Sequence, residues 1–148
     1  MTTAKGTELV FAAFVNDLRQ VEYNGVLDLL KAAVARCLGE FKRLDHVIHL
    51  AGRAGSGPID SLSLQEWQAL LDVNLTSAFL LAREVHDALR SSRGTLTLMA
   101  STNALNGGNA VSGSAYAVAK AGIVNLTRYL AKEWALDDSA LRELVRRY

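Results

Sequence analysis

Short apolar runs alternate along this chain with longer amphipathic stretches, and this alternation restricts the fold more than any other feature. The runs have the length of strands and predict buried strands over 9–15, 47–51 and 94–100. The stretches carry apolar residues at helical spacing and predict helices over 26–41, 63–89, 115–134 and, after a break near Leu136, 137–148. Strands that alternate with helices are typical of layered folds with a parallel sheet. The sequence therefore predicts an α/β fold with a single domain over 1–148.

Two segments between these elements are predicted to be loops. The segment 53–61 holds glycines beside the only proline of the chain. Directly after it, Ser63 and Glu66 have the spacing of a capping box, which predicts the start of the long helix. The second segment, 101–113, is small, polar and rich in glycine, so we expect it to be flexible.

Charge and composition exclude several classes of function. The net charge of +1 over 148 residues gives no basic patch for nucleic acid or for an anionic membrane. The single cysteine, Cys37, allows no internal disulfide, and we expect a free, partly buried thiol. The three histidines lack the spacing of a metal site, so we expect no metal. The apolar run at 10–15 is too short for a membrane span, and we expect a cytoplasmic protein.

Four polar residues lie where an α/β fold commonly carries chemistry. Tyr116 and Lys120 are four apart on a predicted helix, so their side chains share one face. A neighbouring ammonium favours the ionised form of a phenol, which helps the phenol to exchange protons near neutral pH. Ser101 follows a predicted strand, and Asn74 interrupts an apolar helix face where its amide needs a partner. Taken singly, the four could equally be a surface pair, a helix cap and a solvent-facing amide.

In combination and in this order, these residues resemble the short-chain dehydrogenase/reductase family over about 10–135. Four stretches carry the resemblance: one like the family's Asn-Asn-Ala-Gly strand, one like its catalytic Asn motif, one like the strand before its catalytic Ser, and one like its Tyr-x-x-x-Lys signature. They are LDHVIHLAG at 44–52, VNLTSAF at 73–79, GTLTLMAST at 94–102 and SAYAVAK at 114–120. The resemblance implies a Rossmann-like, doubly wound parallel sheet.

The resemblance also implies a catalytic set of Asn74, Ser101, Tyr116 and Lys120. Tyr116 would pass a proton to a substrate carbonyl as hydride arrives, or remove it from the alcohol in the reverse direction. Lys120 would favour the ionised form of Tyr116 and hold the nicotinamide ribose. Ser101 would donate a hydrogen bond to the carbonyl oxygen, and Asn74 would hold a water that relays protons to Lys120.

The cofactor that the resemblance implies is NAD or NADP, and the substrate is a small carbonyl compound or alcohol. Asp17 and Leu18 resemble the pair that contacts the adenine. Ala51 and Gly52 would let the cofactor ribose approach the backbone, and Tyr116 and Lys120 would also contact the cofactor.

The sequence departs from the family pattern at both ends. Eight residues precede the first predicted strand, and Gly6 is the one glycine among them, so the Gly-rich turn that binds the pyrophosphate is missing. The family's later strands are not seen after Trp134, and His49 and Leu50 replace its Asn-Asn pair. We therefore expect a partial sheet of about three strands and weak cofactor binding at most. Two hypotheses stay open: an NAD(P)-dependent oxidoreductase, or a cofactor-free remnant that folds and oligomerises without catalysis.

A homo-oligomer is the last expectation. The predicted helices over 65–89 and 115–134 carry apolar residues on more than one face, beyond what a three-stranded sheet could cover: Phe79, Leu80, Val85, Val124, Leu126 and Leu130. In the family these two helices pair with their symmetry mates, so the resemblance implies the same contact here.

Overall fold

A computed structural model describes residues 23–137 of the chain. Within them two strands alternate with helices, as the sequence predicts. The elements in chain order are α1 (Tyr23–Phe41), β1 (His46–His49), α2 (Leu64–Leu71), α3 (Ser77–Ser92), β2 (Thr95–Leu98), α4 (Asn103–Asn106) and α5 (Ser114–Asp137). The predicted strand 9–15 and nearly all of the predicted helix 137–148 lie outside the described residues.

The two described strands form a parallel pair, with His46 opposite Thr95 and His49 opposite Leu98. This confirms the predicted parallel sheet, although each strand is shorter than its apolar run. Parallel strands need a crossover connection, and α2, the turn that follows it and α3 provide it. The carboxyl ends of β1 and β2 thus lie at the same edge of the sheet.

Helices cover one face of the sheet. The core consists of apolar side chains from α1 and α3, with Val47 and Leu96 of the strands packed against it: Leu30, Val34, Leu80, Leu81, Val85 and Leu89. Because strand side chains alternate between faces, Ile48 and Leu50 point to the opposite side and are each 63% exposed. Met99 beyond β2 is 49% exposed. Among the described residues, no helix is long and apolar enough to cross a membrane.

Three sequence expectations need correction. Leu80 and Val85 do not form an outward face of α3, because the core of the chain itself buries them to 2% and 0% exposure. The helix α5 does not break near Leu136 but continues to Asp137, since no glycine or proline interrupts this stretch. The segment 101–113 is not simply a flexible loop, because it contains α4 and a hydrogen-bonded turn.

Candidate active site

The long helix predicted over 63–89 is helical throughout but changes its winding at Asn74. Ser63 begins it by accepting a hydrogen bond from the backbone N–H of Glu66 at 3.1 Å, as the capping box predicts. Between α2 and α3 the residues Asp72–Thr76 form a π-helical turn. Such turns are rare and are frequently found at functional sites. This one carries Asn74.

Asn74 is fully buried and its amide is hydrogen-bonded on both sides. Its Nδ2 donates to the carbonyls of Arg53 at 2.8 Å and of Leu70 at 2.9 Å, and its Oδ1 accepts the backbone N–H of Arg53 at 3.2 Å. The amide thus finds the partners that its place on an apolar face requires. These contacts join the turn to the loop after β1.

Lys120 lies beside Asn74, with Gly52 between them. Its side chain is 3% exposed, and its Nζ donates to the carbonyl of Met99 at 2.8 Å. A Cβ on residue 52 would lie 2.7 Å from Asn74 Oδ1 and 3.4 Å from Lys120 Nζ, so this contact requires glycine. Burial disfavours the ammonium and lowers the pKa of Lys120 from its ordinary value. The structure therefore brings together three of the residues that the sequence singled out.

Tyr116 and Lys120 share one face of α5, as their spacing predicts. The Nζ of Lys120 lies 5.6 Å from the centroid of the Tyr116 ring, within the range of a cation–π contact. Tyr116 is partly exposed, whereas Lys120 is buried beneath it. The phenol is thus accessible at the surface of a site whose cation is not.

Ser101 follows β2 at the edge of the sheet where β1 also ends. Its Oγ accepts the backbone N–H of Asn103 at 3.2 Å, which makes it a partner of the first turn of α4. That bond uses a lone pair of the hydroxyl and leaves its proton to be donated elsewhere. Met99, two residues earlier, holds Lys120, so the backbone of this segment connects the serine to the lysine.

The loops on either side of the site are paired with each other, a contact that sequence reasoning did not predict. The backbone N–H of Gly55 donates to Ser112 at 2.9 Å, and that of Gly57 to Ala110 at 3.3 Å. Gly113 has a positive φ of 74°, and a Cβ there would lie 3.1 Å from the Ser56 nitrogen. The pairing fixes the segment that leads into α5 three residues before Tyr116. Nonlocal backbone pairing of this kind has no periodic signal in a sequence.

His49 is a further buried residue that sequence reasoning did not place in the site. It ends β1, is 5% exposed, and its Nε2 lies 3.0 Å from the Oγ of Ser77. Burial, followed by the positive charge of Lys120, lowers the pKa of His49 to about 4. The one available signal was its position in place of the family's Asn, where a polar side chain is expected.

The remaining sequence-predicted residues divide into two groups. Ala51 and Gly52 lie directly beyond β1, at the carboxyl edge of the sheet where parallel folds bind ligands. Asp17 and Leu18 lie outside the described residues. Within residues 23–137 no group of histidine, cysteine and carboxylate side chains is suited to hold a metal ion. Cys37 is a free, half-buried thiol, as expected.

Known proteins resemble this chain in both sequence and structure. A family model described as enoyl-(acyl carrier protein) reductase matches residues 27–139. The D-threitol dehydrogenase of Mycolicibacterium smegmatis is 33% identical over 134 residues, which cover 88% of this chain and 46% of that protein. A 3-oxoacyl-[acyl-carrier-protein] reductase of Synechocystis is 29% identical over 109 residues, covering 73% of this chain and 43% of that protein.

Two solved structures extend the comparison. A putative NAD(P)-dependent gluconate 5-dehydrogenase from Beutenbergia cavernae, with NADP bound at low occupancy, matches with a TM-score of 0.68 and 33% identity, over 84% of this chain and 47% of that one. An apo SCOR enzyme from Clostridium thermocellum matches with a TM-score of 0.66 and 33% identity, over 73% and 44%. The chain spans less than half the length of these relatives. With the strand pair and the convergent Asn74, Lys120 and Gly52, these matches show that the chain belongs to the short-chain dehydrogenase/reductase family.

Proposed function

We propose that this chain carries the catalytic residues of an NAD(P)(H)-dependent oxidoreductase that interconverts a carbonyl group and a secondary alcohol. The observation that supports this most is the burial of the Lys120 ammonium beside Asn74 and beneath Tyr116. A cation buried at this cost is typical of a functional site rather than of a stabilising contact. The dehydrogenases and reductases among its relatives support the same chemistry.

The residues present fit the ribose end of a nicotinamide cofactor. An ammonium has three protons, and in the described part of the chain Lys120 gives one of them to Met99. The others can be donated to ribose hydroxyls, and Gly52 presents backbone without a side chain beside the same ammonium. Ala51 and Gly52 would therefore flank the ribose. The cofactor, when bound, supplies or accepts the hydride.

The four side chains of the site transfer the proton and stabilise the charge that develops on the substrate. Tyr116 donates its phenolic proton to the carbonyl oxygen as hydride reaches the carbonyl carbon, and it takes the proton back from the alcohol in the reverse direction. Ser101 donates its hydroxyl proton as a hydrogen bond to the same oxygen and stabilises the charge that develops there. Lys120 stabilises the phenolate that Tyr116 leaves. Asn74 holds the water through which protons reach Lys120, and because both its amide protons are already donated, this water donates to its Oδ1.

We further propose that the substrate is a small carbonyl compound or alcohol and that the chain forms a homo-oligomer through α3 and α5. Of the six apolar residues named for this contact, Phe79 is 41% exposed, and Val124, Leu126 and Leu130 are half-buried. Two further apolar side chains of α5, Val118 and Tyr129, are 49% and 61% exposed. Isologous pairing would bury them. The oligomeric state follows from light scattering coupled to size exclusion.

The enzymatic proposal is tested by following NADH and NADPH oxidation at millimolar concentrations with a panel of small aldehydes and ketones. We expect turnover with one of the two cofactors and a loss of about 10²–10⁴-fold in kcat/KM for Tyr116→Phe, because the proton donor is removed. Tyr129→Phe is the matched control, because it removes an exposed hydroxyl from the same helix and keeps the ring that the proposed interface would bury. It should leave kcat/KM close to that of the wild type. If neither cofactor gave turnover and neither raised the thermal stability of the chain, the proposal would be contradicted. That result would favour a cofactor-free remnant.

A further inference from the structure

A continuous series of hydrogen bonds runs from Lys120 to the turn that carries Asn74, and His49 lies in its middle. Lys120 Nζ donates to the carbonyl of Met99 at 2.8 Å, and the backbone N–H of Met99 donates to the carbonyl of His49 at 3.2 Å. The side chain of His49 meets Ser77 at 3.0 Å, and Ser77 Oγ donates to the carbonyl of Val73 at 2.8 Å. Val73 directly precedes Asn74.

The direction of the central bond follows from its neighbours. The hydroxyl of Ser77 gives its proton to Val73, so the imidazole donates to that hydroxyl through its Nε2–H. Both side chains are 5% exposed. Loss of either would leave a buried polar group without its partner, which costs more than the bond itself contributes.

We propose that His49 is a positioning residue that sets the spacing between Asn74 and Lys120. Its carbonyl accepts a hydrogen bond from Met99, whose own carbonyl holds Lys120. Its side chain is hydrogen-bonded to Ser77, at the end of the π turn that carries Asn74. The purpose of that spacing rests on the proposed function, whereas the contact can be tested without it. The groups that face the imidazole are the Lys120 ammonium from α5 and the Ser77 hydroxyl from α3. The low pKa of His49 keeps its ring neutral at physiological pH.

The backbone N–H of Arg53 reports the position of Asn74, because it donates to Asn74 Oδ1. Its hydrogen exchange is measured by NMR in the full chain for His49→Leu and Ser77→Ala, which break the bond from either side. We expect exchange of this amide to accelerate by about tenfold, as expected for the loss of one hydrogen bond of about 1.4 kcal/mol. His49→Gln retains an N–H donor at a similar distance from the backbone and should restore the slow rate.

Ser92→Ala is the matched control. The Ser92 hydroxyl of α3 also donates a hydrogen bond next to β1, to the carbonyl of Leu44, but this contact lies at the opposite end of the strand. It should leave Arg53 exchange unchanged. Three outcomes would overturn the proposal: an unchanged Arg53 amide in both bond-breaking variants, failure of glutamine to restore it, or equal acceleration throughout α1 and α3. Because no cofactor or substrate is present, absence of oxidoreductase activity would leave this result intact.

Discussion

Lys120 is a residue at which stability and function should oppose each other. Its ammonium is buried, and burial lowers its pKa. A hydrogen bond to one carbonyl is poor compensation for the hydration that an ammonium loses. Retention of a charge in such a place is expected where it serves chemistry rather than folding.

We therefore predict that Lys120→Met raises the free energy of unfolding at pH 7 while it abolishes oxidoreductase activity. Methionine has a similar length and no charge to desolvate, so we expect a gain of roughly 0.5–2 kcal/mol, the usual range for single stabilising changes. Urea unfolding followed by circular dichroism measures it. Lys132→Met, on the exposed side of the same helix, is the control and should have little effect. A clear loss of stability in Lys120→Met would show that the ammonium contributes more than it costs.

His49 should make the stability of the chain depend on pH. Its pKa is about 4 in the folded chain and about 6.5 ordinarily, so between these values the unfolded chain binds a proton that the folded chain does not. The free energy of unfolding is then highest above about pH 6.5 and falls as the pH is lowered toward 4, by about 3 kcal/mol in total.

The measurement compares unfolding of the wild type and of His49→Gln at several pH values in this window. The carboxyl groups of Asp45 and Glu66, whose pKa values their arginine partners lower, weaken both proteins equally on acidification. The difference between the two curves therefore isolates the histidine. Parallel curves would mean that the ring is already protonated or solvated in the folded chain.

At the scale of elements, the paired loops over the site depend on Gly113. Its backbone is left-handed, and so is that of Gly107, with φ of 74° and 82°. A Cβ at 113 would press on Ser56 and Gly55, whereas at 107 there is nothing within 4 Å. The two positions share the backbone strain and differ in the contact.

We predict that Gly107→Ala costs about 1–2 kcal/mol for the left-handed backbone alone, and that Gly113→Ala costs a further 1–3 kcal/mol, roughly, for overpacking. Urea unfolding gives both values. If the chain is active, Gly113→Ala should also lower kcat, because the displaced loop leads directly into Tyr116. Equal losses of unfolding free energy in the two variants would show that the paired loops can move apart at no cost in stability.

The elements with a periodic pattern were predictable and those without one were not. Apolar spacing indicated α1, the helical run from Ser63, α5 and both described strands. The winding change at Asp72–Thr76 was not predictable, because a π turn has no sequence period of its own. The expected break near Leu136 was wrong, because no glycine or proline there interrupts the helical backbone.

The site was predictable as far as its residues follow from motif spacing. Tyr116 and Lys120 share a face because they are four residues apart on one helix. The positions of Asn74 and Ser101 were predictable because one lies on a predicted helix and the other directly after a predicted strand. What joins them was not predictable: the Met99 carbonyl that holds Lys120, the Ser77 hydroxyl that meets His49, and the paired loops. Each of these contacts links residues far apart in the chain, which one sequence cannot show.

At the scale of the whole molecule, the described residues 23–137 form a layered structure. Helices cover one face of the sheet, and Ile48, Leu50 and Met99 lie exposed on the other. The chain spans less than half the length of its relatives, and doubly wound folds cover both faces with helices. The strands thus carry apolar side chains on both faces of the sheet, which is the pattern of a sheet that is buried on both sides.

The parallel pairing of β1 and β2 also has a consequence in time. His46 and Thr95, which face each other, are 49 residues apart in the chain. At a synthesis rate of about 5–20 residues per second, β1 leaves the ribosome roughly 2–10 s before its partner does. During that interval the newly made strand has no β2 to pair with. Until the crossover is complete, the unpaired β1 is therefore open to aggregation and to capture by chaperones.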